Sequence, residues 1–420
     1  MKGKGHVVNV IGAGFAGIEC ALFLADHGIN VHIFDCGSDY ECDCCHCEVC
    51  GGGGDAQNLA RDLLRGELHT LGSALIEKES KLRKEMSGRC LAKKLLAYGL
   101  EKVKKHKRIE YFNLCVSDLN LEEVNVVASG PHTKGGLFAW LKNLYGSMRF
   151  HDNCCRYPIL QGVDEEKLYV KDGDDKHFYI PLDYEKYIAL CNQIIKERNT
   201  LLEKGINISK NPQTIESMVA KEKDCLKNNI MRPIYLSSLD KKPYAVIKLT
   251  KEDKGYVLEG FSSQLPPQAQ YEIINSIDGL EKCVIMEIGK SFENSYINAP
   301  FVINAFGQST KFENVFFAGN VAGVFGHIES MAMGLYVGHN VLSYVSHKQM
   351  VAIPSETAIG SMMKKITQNT IKFDPIEANY DIISMQKVYK TLRGKQDFLF
   401  KRSFYLIEKY KEGCFNGKHV

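Results

Sequence analysis

A glycine-rich turn between two apolar strands near the start constrains this chain more than any other feature. Val7-Val8-Asn9-Val10-Ile11 is a nearly unbroken β-branched run, as expected of a parallel strand buried on both faces. Gly12-Ala13-Gly14-Phe15-Ala16-Gly17 follows at once. Ile18 to His27 then has the apolar spacing of a helix, Gly28 ends it, and Val31-His32-Ile33-Phe34 predicts a second strand closing on Asp35. Each part has a physical role in holding a dinucleotide. Gly12 permits the tight turn, Gly14 lets the backbone approach a pyrophosphate, and Gly17 lets the helix pack close. The helix N-terminus faces the phosphates and Asp35 accepts from a ribose hydroxyl.

Two later stretches favour FAD over NAD. Val315-Phe316-Phe317 reads as a short buried strand, followed by Ala318-Gly319-Asn320-Val321-Ala322-Gly323 and a small-residue helix from about Glu329 to Tyr344. FAD enzymes of the glutathione-reductase type use such a late strand and helix to hold the ribityl chain and flavin pyrophosphate, so Gly319, Asn320, Gly323 and Ser330 become cofactor candidates. Val126-Val127-Ala128-Ser129-Gly130 resembles their strand-plus-glycine crossing, which adds Gly130. The expected fold is therefore α/β, a split FAD-binding Rossmann-like domain of the glutathione-reductase type with an inserted α+β domain. Its expected boundaries are 1–134 and 296–385 for the FAD-binding domain, 135–295 for the insertion and 386–420 for a C-terminal extension.

The 420 residues, 45% of them apolar and 25% charged, fit a folded chain of one large or two moderate domains. A net charge of +3 says little about partners. No run of eighteen apolar residues exists, so no membrane span is expected. Met1-Lys2-Gly3-Lys4 before an apolar stretch mimics a signal peptide, but the glycine motif accounts for that stretch. With fifteen cysteines, an odd number, the expectation is a cytoplasmic chain that keeps them reduced.

Later motifs carry a family resemblance. Tyr296-Ile297-Asn298-Ala299-Pro300, Phe316-Phe317-Ala318-Gly319, Gly326-His327-Ile328-Glu329-Ser330, Thr357 to Met362 and Phe373-Asp374-Pro375 through Ala378-Asn379 resemble the folate- and FAD-dependent tRNA uracil-5 methyltransferase family. Lys242-Pro243-Tyr244-Ala245-Val246 also fits, and the resemblance covers about residues 6 to 381. It implies that reduced FAD, fed by NADPH or NADH, takes a methylene group from methylenetetrahydrofolate and delivers it to C5 of a uridine in structured RNA, tRNA or rRNA. A thiolate adds to C6, which requires an activated cysteine. The family's first cysteine, in Glu-Leu-Val-Cys-Ser-Asn-Ser, is matched by Cys50, although glycines replace the Ser-Asn-Ser.

The substrate side is rewritten. The second family cysteine, in Gly-Cys-Met-Pro-Ile-Glu, aligns with Pro212 in Asn211-Pro212-Gln213-Thr214-Ile215-Glu216. The aromatic-Asp-Ala-Ala-Ala-Pro motif is His151-Asp152-Asn153-Cys154-Cys155-Arg156-Tyr157-Pro158, and Leu-Lys-Trp-Gly-Glu-Gln is Leu265-Pro266-Pro267-Gln268-Ala269-Gln270. Proline is no nucleophile, which leaves Cys50, Cys225 and the Cys154-Cys155 pair. The pair has the stronger claim because it replaces residues of a motif expected near the flavin, whereas Cys225 reads as a packed core thiol. The alternatives are a flavin-dependent thiol or dithiol oxidoreductase and a non-catalytic RNA-binding flavoprotein.

Two features admit more than one reading. Cys44, Cys47 and Cys50 have metal-ligand spacing beside His46 and Cys42, so the cluster is a metal site, a dithiol exchanging electrons with FAD, or a cysteine-rich loop. Residues 78–108 hold twelve Lys or Arg against three Glu, which suits either RNA phosphates or a solvated helix face. Trp140, the only tryptophan, reads as a packing residue.

Overall fold

The computed structural model describes residues 7–36, 59–85, 88–146, 148–171, 174, 176–205, 214–252, 254–370, 373–379, 382–383 and 392–416. They form two compact units, one of residues 1–151 with 293–420 and one of 152–292.

The first unit opens with β1 (Val7–Ile11), α1 (Phe15–Asp26) and β2 (Asn30–Asp35). Residues Ala16 to Ala25 of α1 are all buried, because the helix is covered on every side. Then come α2 (Leu59–Leu71), α3 (Ile76–Glu85), α4 (Gly88–Lys105), β3 (Ile109–Asn113), β4 (Val124–Val127), α5 (Gly135–Tyr145) and β5 (Met148–Arg156).

The second unit is an antiparallel sheet with helices. It runs β6 (Ile159–Gln161), β7 (Tyr169–Val170), β8 (His177–Leu182), α6 (Tyr184–Glu203), α7 (Ile215–Lys221), α8 (Cys225–Asn229), β9 (Ala245–Glu252), β10 (Gly255–Leu258), α9 (Pro267–Asn275) and β11 (Val284–Glu287). The strand order is β11-β6-β10-β9-β8-β7. Its core gathers Tyr187, Ile194, Ile247, Leu249, Leu258, Phe261 and Ile273. The chain leaves through β12 (Lys290–Ile297), which pairs with β5, so both passages between units are made in strands.

The first unit resumes with α10 (Ala299–Val302), β13 (Val315–Phe317), α11 (His327–Val345), α12 (Ala358–Thr367) and α13 (Leu392–Asn416). Its sheet has the order β13-β4-β1-β2-β3, parallel throughout. β1 therefore lies between β4 and β2, and the connections diverge there, which opens a crevice at the carboxyl ends of the strands. Packing of α11 on α1 depends on Gly334. A Cβ there would collide with the Ala16 backbone, so the two helices meet main chain to main chain.

Two sequence-based boundaries move. Residues 135–145 were expected in the insertion, but Leu137 and Leu141 of α5 bury in the first unit's core, and the division falls after residue 151. Residues 386–420 were expected as an extension. Instead Leu399, Ile407 and Tyr410 of α13 bury in that same core. Trp140 packs against the core as expected.

Two buried carboxylates tie helices to the scaffold. Glu19 of α1 accepts from the Ser73 hydroxyl and from the Ala74 and Leu75 N–H groups ahead of α3. Glu67 of α2 accepts from the Ala358 and Ile359 N–H groups at 2.6 and 2.9 Å, at the start of α12, and from the Ser403 hydroxyl. Burial pushes both carboxyls up to about 7, while these donors pull the other way.

Candidate dinucleotide site

The crevice is assembled from three glycine turns. In the first, Gly12 has φ +106° and donates its N–H to the Phe34 carbonyl at 2.7 Å. A Cβ on Gly12 would overlap the Ala128 carbonyl, and one on Gly17 would overlap the Gly12 carbonyl. Side chains are therefore excluded at both positions by the protein's own backbone. Gly14 differs: it sits at the N-cap of α1 with an ordinary extended φ of −77°, and a Cβ there would meet nothing within 4 Å. The space is open above the helix N-terminus, where a pyrophosphate is favoured by free N–H groups and the helix dipole.

Asp35 ends β2 at the rim of this space. Its Oδ1 accepts from the Ala13 N–H and its Oδ2 from the Tyr111 hydroxyl, both at 3.2 Å. The phenol of Tyr111 is pushed up to about 12 by burial and then by the Asp35 charge, so it stays protonated and serves as a donor. This contact fixes the orientation of the carboxylate.

The second turn follows β4. Gly130 has φ +74°, its carbonyl accepts from the Thr133 hydroxyl at 2.9 Å, and Ser295 Oγ donates to the Thr133 carbonyl at 2.8 Å. The third follows β13. Gly319 and Gly323 both have positive φ, and a Cβ on Gly323 would strike the Phe373 ring. Ser330 Oγ donates to Asn320 Oδ1 at 2.9 Å, linking this turn to the first turn of α11. Strand-like pairing of Val324 with Ile376 brings the 373–379 segment alongside. Tyr296 Oη and the Arg149 guanidinium both donate to the Phe373 carbonyl, at 3.2 and 3.3 Å.

Sequence spacing missed the charge network at the start of α11. Arg61 of α2 donates to Glu329 at 2.8 Å and to Glu377 at 3.3 Å, and the Ala378 N–H also donates to Glu329. Burial raises the Glu377 carboxyl, Arg61 opposes this, and Glu329 adds to it. No local motif could have signalled a contact between residues 268 apart in the chain.

The cysteine candidates fall elsewhere. Cys50, with Cys44 and Cys47 and the whole metal-ligand alternative, lies outside the described residues, as does Pro212. Among the described residues no group of three His, Cys, Asp or Glu could hold a metal ion. Cys154 and Cys155 lie on the part of β5 assigned to the second unit. Cys225, expected as a packed core thiol, is instead half-buried as the first residue of α8, where Asn229 donates to its sulfur at 3.4 Å. The expectation that every cysteine is reduced is also corrected. Cys36 and Cys115 are joined as a disulfide, because they follow the adjacent ends of paired strands β2 and β3.

Two residues within the rewritten motifs, Glu216 and Gln270, make structural hydrogen bonds. Glu216 accepts from Ser263 Oγ at 2.9 Å and the Gln264 N–H at 2.8 Å, fixing α7 to the loop between β10 and α9. Gln270 donates to the Leu265 and Gly289 carbonyls at 2.7 and 2.9 Å and accepts from the Gly289 N–H.

The cradle fits FAD. Backbone excludes side chains at Gly12 and Gly17, the space over Gly14 is open, the Asp35 carboxylate is oriented at the end of β2, and a third glycine turn is linked to the start of α11. Together with the interrupted parallel sheet, this defines a split dinucleotide-binding fold of the glutathione-reductase type. The fold resembles that of Aquifex aeolicus GidA in its form II crystal, with a TM-score of 0.65 at 18% identity, covering 97% of this chain and 73% of that one. The family described as "Glucose inhibited division protein A" (GIDA) matches residues 7–349, and the chain belongs to that family. Among curated relatives, the methylenetetrahydrofolate–tRNA-(uracil-5-)-methyltransferase TrmFO of Thermosipho melanesiensis is 30% identical over 93% of this chain and 96% of its own. The protein of the same name from Bacillus licheniformis is 31% identical over 93% and 95%.

Proposed function

We propose that this chain methylates C5 of a uridine in tRNA, using methylenetetrahydrofolate as the carbon donor, FAD as cofactor and NADPH or NADH as reductant. The observation that carries the reading is the alignment, over more than nine-tenths of both chains, with methyltransferases of that name. The glycine cradle supports the FAD part of that reading. FAD, when bound, supplies the reducing equivalents and the one-carbon relay.

The chain's own residues hold and orient. Gly12, Gly14, Gly17 and the N-terminus of α1 take the pyrophosphate, Asp35 takes a ribose hydroxyl, and Gly130, Gly319, Asn320, Gly323 and Ser330 shape the flavin end. Cys50 is the thiol assigned to the flavin side, and the Cys154-Cys155 pair is assigned the attack on uridine C6 in place of Pro212. The exposed lysines of α3 and α4 are assigned to the RNA phosphates. Such a reaction belongs in the cytoplasm, where RNA is modified. Among the described residues no helix is long and apolar enough to cross a membrane.

Mass spectrometry of modified uridines in tRNA and rRNA from a deletion strain tests the reading and separates the two RNAs. Loss of 5-methyluridine from tRNA alone is expected. The replacement of the second family cysteine by Pro212 favours one other reading, a flavin-dependent dithiol oxidoreductase. Rapid reduction of the flavin by a dithiol, with no consumption of methylenetetrahydrofolate, would decide for it.

A further inference from the structure

Outside the cradle, the chemistry-bearing group closest in sequence to a cofactor residue is the Cys36–Cys115 pair. Its position follows from the register of two strands. Asp35 pairs with Asn113 as the last rung of the β2–β3 ladder, and the Leu114 N–H then donates to the Asp35 carbonyl at 2.7 Å. Cys36 and Cys115 are the next residues on each side, with Cα atoms 4.5 Å apart, so their covalent link acts as one more rung. Both residues are exposed. A thiol can therefore reach a sulfur without local unfolding, which a buried structural disulfide does not allow.

The same ladder end carries the ribose acceptor. Asp35 precedes Cys36 directly, and its carboxylate orientation depends on Tyr111, two residues before Asn113 on β3. Anything that loosens the end of β2 against β3 loosens that contact.

We propose that Cys36–Cys115 is a reversible thiol–disulfide modification site that sets how tightly the dinucleotide cradle holds its cofactor. Its co-substrates are small thiols or dithiols. In the reducing direction a thiolate attacks one exposed sulfur, the S–S bond breaks, and the other cysteine leaves as a thiolate and takes up a proton. A second thiol resolves the mixed disulfide, so the protein gains two electrons and two protons while the reductant becomes a disulfide. Oxidised glutathione or another small disulfide drives the reverse. The oxidised form holds Asp35 in place for the ribose, and the reduced form lets it move. This inference rests on the FAD reading of the cradle.

The test uses the full-length protein equilibrated with oxidised glutathione or with excess dithiothreitol. The FAD dissociation constant is read by flavin fluorescence, and the cysteine linkage by peptide mapping of alkylated, unreduced protein. We expect a Cys36–Cys115 linked peptide in the oxidised sample. FAD affinity should fall on reduction by about 2- to 10-fold, the range for weakening one hydrogen bond to a ribose hydroxyl. The Cys36→Ser, Cys115→Ser double variant should bind FAD as the reduced protein does and ignore dithiothreitol. Cys115→Ser alone should behave the same way, which guards against a folding defect of the double variant. Absence of the linked peptide overturns the proposal. So does an affinity that is equal in both redox states, or a redox response that persists in the double variant. Failure of the protein to bind FAD in either state would instead overturn the cofactor reading.

Discussion

Arg61 Nε donates to Glu329 Oε1 at 2.8 Å, with the Glu329 side chain 1% and the Arg61 side chain 13% exposed. The pair joins α2 to the first turn of the helix that closes the dinucleotide crevice. Arg61→Gln leaves a buried carboxylate without its cation and should cost about 3–5 kcal/mol. Denaturant unfolding measures this. The Arg61→Met, Glu329→Met double variant should be less damaged than the single one, and equal or greater damage would show that the pair is not the source.

The cradle glycines should separate into two kinds. Gly14→Val enters open space and keeps an allowed φ, so unfolding should change little while FAD binding is lost. Gly17→Val drives a side chain into the Gly12 carbonyl, so flavin content and folding should fall together. Flavin absorbance and thermal melts of both variants check the distinction. A Gly14→Val protein with full FAD occupancy would place the pyrophosphate elsewhere.

Stability should decline as pH rises through neutrality. Glu19 and Glu67 each titrate near 7 when folded and near the ordinary carboxyl value when unfolded. The folded state therefore binds more protons between those values. Their contribution is fully present below the unfolded pKa and is lost as pH rises through about 7. The loss is of order 3 kcal/mol per group. Glu67→Gln should remove one group's share of the slope, measured by urea midpoints from pH 5 to 8.

Lys93, Lys94, Lys102 and Lys104 are exposed along α4, while Lys105 is paired with Glu101. Lys93→Glu with Lys94→Glu should weaken tRNA binding. The salt dependence should also flatten, by roughly 0.7–0.9 in log–log slope for each phosphate no longer neutralised. Filter binding across a salt series is the measurement, and an unchanged slope would mark this face as merely solvated.

For the chemistry, methyl transfer should survive Cys225→Ala. It should be lost in Cys50→Ser with FAD still bound, and in the Cys154→Ala, Cys155→Ala double variant. A fluorouridine-containing RNA trapped on the enzyme identifies the C6 nucleophile by peptide mapping. Capture on Cys225 would overturn the assignment.

The first strand, glycine turn, helix and strand were legible because each depends on neighbours within a few residues. A buried parallel strand must be apolar, a tight turn must exclude Cβ, and the two periodicities announce themselves locally. The three fingerprints also determined that the cofactor domain is interrupted, since Gly130 and Gly319 belong to one crevice but lie far apart in the chain. Where the interruption begins was not determined. Amphipathic α5 reads the same whether it covers the first core or the second, and only Leu137 and Leu141 in their packed positions settle it. The same holds for α13, whose residues resemble no motif and yet complete the first core. Pairing of Arg61 with Glu329, of Tyr111 with Asp35 and of Cys36 with Cys115 was likewise decided by tertiary structure. A side chain's partner across the fold is set by strand register and helix packing, and neither leaves a spacing signal in the sequence.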